Sequence, residues 1–184
     1  MVITIIAEPR SGSTNLANWF YFNKKFTTLF ILSDPQSKWY KSESPKDYKY
    51  NTQHLLIKED YYHYKNFDEL ISISDKIILL YRENAEEQIE SWTNAKLKNN
   101  WHNEWVSDNI KNDTETNFFL ELKKTFREQY LDIPTYFKIS YEELYYNNGF
   151  QKILDYLNID ELENKNFPRG KKYRIEKPLI TSII

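Results

Sequence analysis

Val2-Ile3-Thr4-Ile5-Ile6-Ala7-Glu8-Pro9-Arg10-Ser11-Gly12-Ser13-Thr14 is an apolar, β-branched run that stops at a turn and passes into helix-forming sequence. An unbroken run of this kind predicts a strand buried on both faces. Leu16, Trp19 and Phe20 then predict a helix over residues 13–24. The chain has three glycines, Gly12, Gly149 and Gly170, far below the roughly 7% of average usage. A glycine kept at the turn therefore marks a place where the backbone permits little else.

Outward from this segment the pattern repeats. Residues 28–32 predict a second strand and Leu55-Leu56-Ile57 a third, ending at Lys58. Lys76-Ile77-Ile78-Leu79-Leu80-Tyr81 is the clearest strand in the chain, and Thr135-Tyr136-Phe137-Lys138-Ile139 is the last. Helices are predicted over 67–73, 85–98, 115–131, 141–147 and 150–157, while the polar residues 34–52, with Pro35 and Pro45, read as a surface excursion. Strands alternating with helices imply an α/β fold with a mostly parallel, buried sheet flanked by helices. In such folds ligands sit at the carboxyl ends of the strands. No repeat or linker divides the chain, so 1–184 reads as a single domain.

Composition narrows the function classes. The 184 residues are 40% hydrophobic and 28% charged, which excludes whole-chain disorder. A net charge of −2, from 25 basic and 27 acidic residues, argues against a nucleic-acid partner or an anionic membrane surface. With no cysteine, disulfide scaffolds, thiol catalysis and iron–sulfur clusters are excluded. No run approaches the roughly 18 apolar residues of a membrane helix, and the start lacks a basic segment before its apolar run. The expectation is a soluble, cytoplasmic protein.

The turn Glu8-Pro9-Arg10-Ser11-Gly12-Ser13-Thr14 has the context of a phosphate-binding loop: strand, tight turn, helix. Backbone N–H groups at a helix start, with the Ser11, Ser13 and Thr14 hydroxyls, can cradle a phosphate or sulfate. Against the pattern G-x-x-x-x-G-K-[ST], Ala7 holds the first glycine's place, Gly12 the second and Ser13 the lysine's. The cation stands at Arg10 instead. That exchange disfavours a nucleotide kinase, the competing enzyme reading, as does the lack of a clear Mg²⁺-binding acid. A non-catalytic nucleotide-binding protein of the same fold is a third reading, and a plain capped turn is the structural alternative. At the end of strand 76–81 stands Arg82, with Ser91 nine residues later on the next helix. A fork-shaped, permanent cation suits a phosphate. The alternatives are a surface salt bridge with Glu83, Glu86 or Glu87 for Arg82, and a helix-surface serine for Ser91.

Together, Pro9-Arg10-Ser11-Gly12-Ser13-Thr14, Arg82 with Ser91, and Ile139-Ser140-Tyr141-Glu142-Glu143-Leu144 resemble, in order, three segments of the sulfotransferases that use 3′-phosphoadenosine 5′-phosphosulfate (PAPS). The resemblance implies a metal-independent enzyme of phosphate-loop sulfotransferase fold, which moves a sulfuryl group from PAPS to a hydroxyl or amine acceptor. It implies a 5′-phosphosulfate held by Arg10, Ser11, Gly12, Ser13 and Thr14, and a 3′-phosphate held by Arg82 and Ser91. Tyr141 would lie near the nucleotide, or else be a core tyrosine. Arg169-Gly170-Lys171, in a tail with five cations and no acid over 165–174, resembles a loop the family lays over the 3′-phosphate. Its alternative is a solvated charge run.

An acceptor hydroxyl also needs a general base. Lys58, Glu59 and Asp60 follow the third strand, where family members often place a basic residue and then the base. Glu59 and Asp60 are both candidates for that base, with His63 and His54 weaker, and Lys58 is the matching basic residue. The alternative for either acid is capping a helix before Tyr61. The resemblance implies a small-molecule, carbohydrate or lipid acceptor, walled by residues 34–52 with Trp101, His102 and Trp105.

Overall fold

A computed structural model describes residues 1–30, 52–62, 67–97, 113–160 and 162. In chain order it holds β1 (Val2–Ala7), α1 (Ser13–Tyr21), β2 (Phe26–Phe30), β3 (His54–Asp60), α2 (Phe67–Ile73), β4 (Lys76–Tyr81), α3 (Ala85–Leu97) and α4 (Asp113–Phe126). A π-helical turn, Arg127–Leu131, continues α4, followed by β5 (Phe137–Ser140), α5 (Tyr141–Tyr146) and α6 (Gly149–Leu157). The five strands form one sheet in the order β2-β3-β1-β4-β5, and every pairing is parallel.

The sheet is buried on both faces, as its apolar strands require. Ile3, Ile5, Leu56, Ile78, Leu80 and Ile139 face Leu16, Trp19 and Phe20 of α1 together with Leu144, Ile153 and Leu157 of α5 and α6. The alternate residues Ile6, Leu55, Ile57, Ile77 and Leu79 pack with Phe67 and Leu70 of α2 and Phe126 of α4. Among the described residues no helix is long and apolar enough to cross a membrane.

Several boundaries differ from the sequence reading. α1 ends at Tyr21, not near residue 24: the Phe22 N–H closes on the Asn18 carbonyl, and the buried Asn23 Nδ2 donates to the Trp19 carbonyl at 2.7 Å. β2 lies two residues earlier than expected, paired Phe26 to His54 and Phe30 to Lys58. The helix expected over 115–131 starts at Asp113 and finishes in the π-helical turn. The largest difference is in β3, which runs on through Lys58, Glu59 and Asp60 instead of stopping at Lys58. Pairing of Glu59 with Ile6 and of Asp60 with Ala7 keeps these polar residues in the ladder. Neither acid caps a helix at Tyr61.

The joint between α5 and α6 is tight. A Cβ built on Gly149 would stand 2.7 Å from both Ile139 Cδ1 and Leu144 Cα and 2.9 Å from the Glu143 carbonyl oxygen. All three atoms belong to backbone or a buried strand side chain and have little room to yield. Gly149→Ala is expected to destabilise the protein by about 1–3 kcal/mol, the range for overpacking, read as a lower urea midpoint. An unchanged midpoint would show that the α5–α6 joint relaxes freely.

Candidate functional site

β1 lies between β3 and β4, and the chain passes from one side of it to the other, so a crevice opens where these three strands end. Ala7 pairs with both Asp60 and Leu80, which brings the three ends level. The loop from Glu8 to Gly12 sits on this row, and the segments after β4 and β5 join it.

The loop's path is set by two left-handed residues, Arg10 at φ 61° and Gly12 at φ 83°. For arginine that conformation costs roughly 1–2 kcal/mol, so the fold holds the turn in place. Gly12 is the N-cap of α1, leaving the Ser13 and Thr14 N–H groups without a carbonyl one turn back. A Cβ on Gly12 would meet Tyr145 Cε2 at 2.8 Å and Tyr141 Cδ2 at 3.0 Å. The Tyr145 hydroxyl donates to the Gly12 carbonyl at 2.7 Å and so ties α5 to the loop. Ser11 is fully buried, and its Oγ has no hydrogen-bond partner among the described residues.

Arg10 reaches α3, where its Nε donates to Ser91 Oγ at 2.9 Å. Burial pushes its guanidinium below the usual value; Asp60 opposes this and Arg82 adds to it. Arg82 is 4% exposed, and of the salt-bridge partners the sequence offered it meets Glu87. Its Nη2 donates to Glu87 Oε2 at 2.5 Å, and its Nη1 lies 3.5 Å from the Arg10 carbonyl oxygen. Its Nε makes no hydrogen bond among the described residues and stands 3.8 Å from Glu142 Oε1. The guanidinium carbon lies 4.5 Å from the centre of the Tyr141 ring, a cation–π arrangement. Ser91 is itself buried rather than a helix-surface serine.

On β3 the polar residues alternate across the sheet. Lys58 and Asp60 share a face: Lys58 Nζ donates to Asp60 Oδ2 at 2.8 Å, and Ser13 Oγ donates to Asp60 Oδ1 at 3.2 Å. Lys58 is fully buried, while the Asp60 side chain keeps 18% exposure. Glu59 is fully buried, on the opposite face. His54 stands at the other end of β3, against Phe26, and is thereby removed from the crevice. His63, Trp101, His102, Trp105, residues 34–51, and Arg169, Gly170 and Lys171 lie outside the described residues.

The structure thus gathers Arg10, Ser11, Gly12, Ser13, Lys58, Asp60, Arg82, Ser91 and Tyr141 around one edge, with Thr14 exposed beside them. The sequence reading gave four participants no role of their own. Glu8, Gln88 and Lys123 form a buried cluster behind the loop, and Tyr145 holds the glycine. A signal existed for one of them: Lys123 interrupts the apolar stripe of Phe119 and Phe126 on α4.

No protein-family model and no curated protein sequence matches the chain. Its structure is similar to the crystal structure of mouse sulfotransferase SULT7A1 complexed with PAP, at a TM-score of 0.55 and 17% identity. The match covers 87% of this chain and 59% of that chain. The fold is therefore sulfotransferase-like.

Tyr145 supplies a test of how the loop is held. Burial raises its phenol well above the usual value, so the folded protein keeps the proton when the unfolded chain loses it near pH 10. The unfolded state then binds fewer protons, and stability falls as pH rises above about 10. Tyr145→Phe is expected to cost about 1 kcal/mol at pH 8 through the lost hydrogen bond. It should also make the alkaline decline shallower. Urea midpoints at pH 8 and pH 10.5 measure both, and an identical alkaline slope would contradict the assignment.

Proposed function

We propose that the chain is a sulfotransferase that uses PAPS and transfers a sulfuryl group to a hydroxyl or amine acceptor. The observation that carries this reading is the hydrogen bond from Arg10 to Ser91, which joins the loop after β1 to the helix after β4 with Arg82 beside it. One edge then offers two separate anion-binding groups, as a nucleotide with phosphates at both ends of its ribose demands. The donor set fits such a molecule. Ser11 Oγ and Arg82 Nε are buried without hydrogen-bond partners among the described residues, and a buried polar group of that kind is expensive unless a ligand satisfies it.

Arg10, Ser11, Gly12, Ser13 and Thr14 would hold the 5′-phosphosulfate, and Arg82 with Ser91 the 3′-phosphate, with Tyr141 beside the nucleotide. PAPS supplies an activated sulfuryl group whose transfer resembles phosphoryl transfer, governed by positioning and charge stabilisation. Arg10 balances negative charge at the 5′ end through a guanidinium that stays protonated despite burial. Lys58 fixes the Asp60 carboxylate, and Ser13 bonds its other oxygen, so Asp60 is held at the crevice with a small exposed surface. That access supports Asp60 over the fully buried Glu59 as the group that accepts the acceptor's proton. A small-molecule, carbohydrate or lipid acceptor, a single domain and a cytoplasmic location belong to the same reading.

Ligand choice tests it. 3′-Phosphoadenosine 5′-phosphate should raise the melting temperature without metal, by about 2.7 kcal/mol of stabilisation at 100 times its dissociation constant. ATP with Mg²⁺ should stabilise the protein less; the reverse order would favour a kinase. Arg82→Ala should weaken bisphosphate binding by about 1.5–3 kcal/mol and reduce discrimination against the 2′-phosphate isomer. Equal binding of both isomers by mutant and wild type would remove Arg82 from the site.

The base is tested separately. Asp60→Asn should lower the transfer rate roughly 10²–10⁴-fold, the usual worth of general acid–base catalysis, with bisphosphate affinity nearly unchanged. Glu59→Gln should leave the rate within a few fold. If Asp60→Asn keeps full transfer to a genuine acceptor, the proton goes elsewhere.

A further inference from the structure

Lys123 is 8% exposed on α4, in a stripe otherwise made of Phe119 and Phe126. Its ammonium spends all three donors internally: 2.8 Å to Glu8 Oε2, 2.8 Å to Gln88 Oε1 and 2.5 Å to the Arg82 carbonyl oxygen. Glu8 Oε2 in turn accepts the Arg82 N–H at 3.0 Å and Gln88 Nε2 at 3.2 Å. Gln88 Nε2 also donates to the Pro9 carbonyl at 2.8 Å. One buried cluster therefore grips both main-chain groups of Arg82 and the start of the loop that carries Arg10.

We infer that Lys123, acting with Glu8 and Gln88, is a positioning residue for the anion-binding edge: it fixes the backbone of Arg82 and of the loop rather than touching a ligand. The inference deepens the sulfotransferase reading and rests on it for the identity of the ligand. The choice of a charged pair is the physical argument. Replacing a buried ion pair by apolar residues of similar size is often neutral or stabilising, so holding the fold together does not require one. Apolar side chains cannot accept from an N–H or donate to a carbonyl, and those two bonds aim the Arg82 side chain. The cluster also joins α4 to the loop after β1, the end of β4 and α3.

The test uses Lys123→Met, which keeps the stem and loses the ammonium, and the double variant Glu8→Gln with Lys123→Met, which removes both charges. Amide hydrogen exchange of the full chain without ligand is the first measurement. Lys123→Met should speed exchange at Arg82 and at residues 10–13 tenfold or more relative to Ile5 and Ile78 in the sheet. A uniform acceleration everywhere would mean a purely structural residue and overturn the inference. Should the single variant fail to fold, the double variant carries the test. It should fold, since no buried charge is left unpaired, and still show fast exchange at Arg82; native exchange there would overturn the inference.

The second measurement compares the affinities for 3′-phosphoadenosine 5′-phosphate and adenosine 5′-phosphate. Lys123→Met should cut the preference for the 3′-phosphorylated ligand at least fivefold, an effect that loss of stability alone does not produce. An undiminished preference overturns the inference. A wild-type protein with no such preference would instead defeat the sulfotransferase reading, and the exchange pattern alone would then decide the role of Lys123.

Discussion

The polar edge of this protein is organised by the position of β1, a strand walled on both faces by apolar side chains and on both edges by parallel neighbours. A strand so enclosed has no room for a charge along its length, and Val2–Ala7 carries none. Its carboxyl end is the first point where the chain can leave the sheet, and the ends of β3 and β4 are level with it. Charged groups that the sequence places after each strand are thus delivered to one short row. The site is a consequence of parallel register before it is a consequence of any particular side chain.

Burial at that row imposes a second constraint. Lys58, Glu59, Glu8 and Arg82 are each at most 4% exposed, and an ionised group so placed must be paired or pay a desolvation penalty of several kcal/mol. The structure pairs Lys58 with Asp60, Lys123 with Glu8, and Arg82 with Glu87. Such pairs add little net stability against apolar substitutes. Their effect is geometric: each pins a segment whose backbone would otherwise be free to slide. The left-handed turn at Arg10 persists because the loop is bonded at Glu8, Pro9, Arg10 and Gly12 to three other parts of the chain, the end of β4, α3 and α5.

The parts of this arrangement legible in the sequence are those governed by local pattern. β1 and β4 announce themselves because residues buried on both faces must be apolar without alternation, and both were predicted over the residues that form them. β3 was cut short at Lys58 because Lys58-Glu59-Asp60 looks like a strand exit by composition. The ladder to β1 carries it on, and that is a tertiary effect. Arg10, Arg82 and Ser91 could be singled out from motif spacing, although nothing local shows that Arg10 and Ser91 bond each other across 81 positions. Glu8 and Lys123 are 115 positions apart. Each alone looks like an ordinary charged residue, and only the packing of α4 beneath the loop makes them partners.

The cations of the edge are matched by carboxylates, so under the proposed reading an anion bound there would displace one of them. The four candidates are not equivalent. Glu8 is 1% exposed and locked by Lys123, Gln88 and the Arg82 N–H. Asp60 is held through both oxygens by Lys58 and Ser13. Glu142 accepts the N–H groups of Glu83 and Asn84 at 3.0 and 3.1 Å, which makes it part of the turn after β4. Glu87 is the exception: its side chain is 39% exposed in the first turn of α3 while it occupies Arg82 Nη2. Its hydrogen bond to Arg82 is charge-assisted, a class worth about 1.5–3 kcal/mol, and a phosphate on the same guanidinium would restore that bond. Under the proposed reading, the Arg82–Glu87 pair therefore keeps the arginine compensated when no ligand is present and yields to an anion without disturbing the backbone that Glu8 and Lys123 hold.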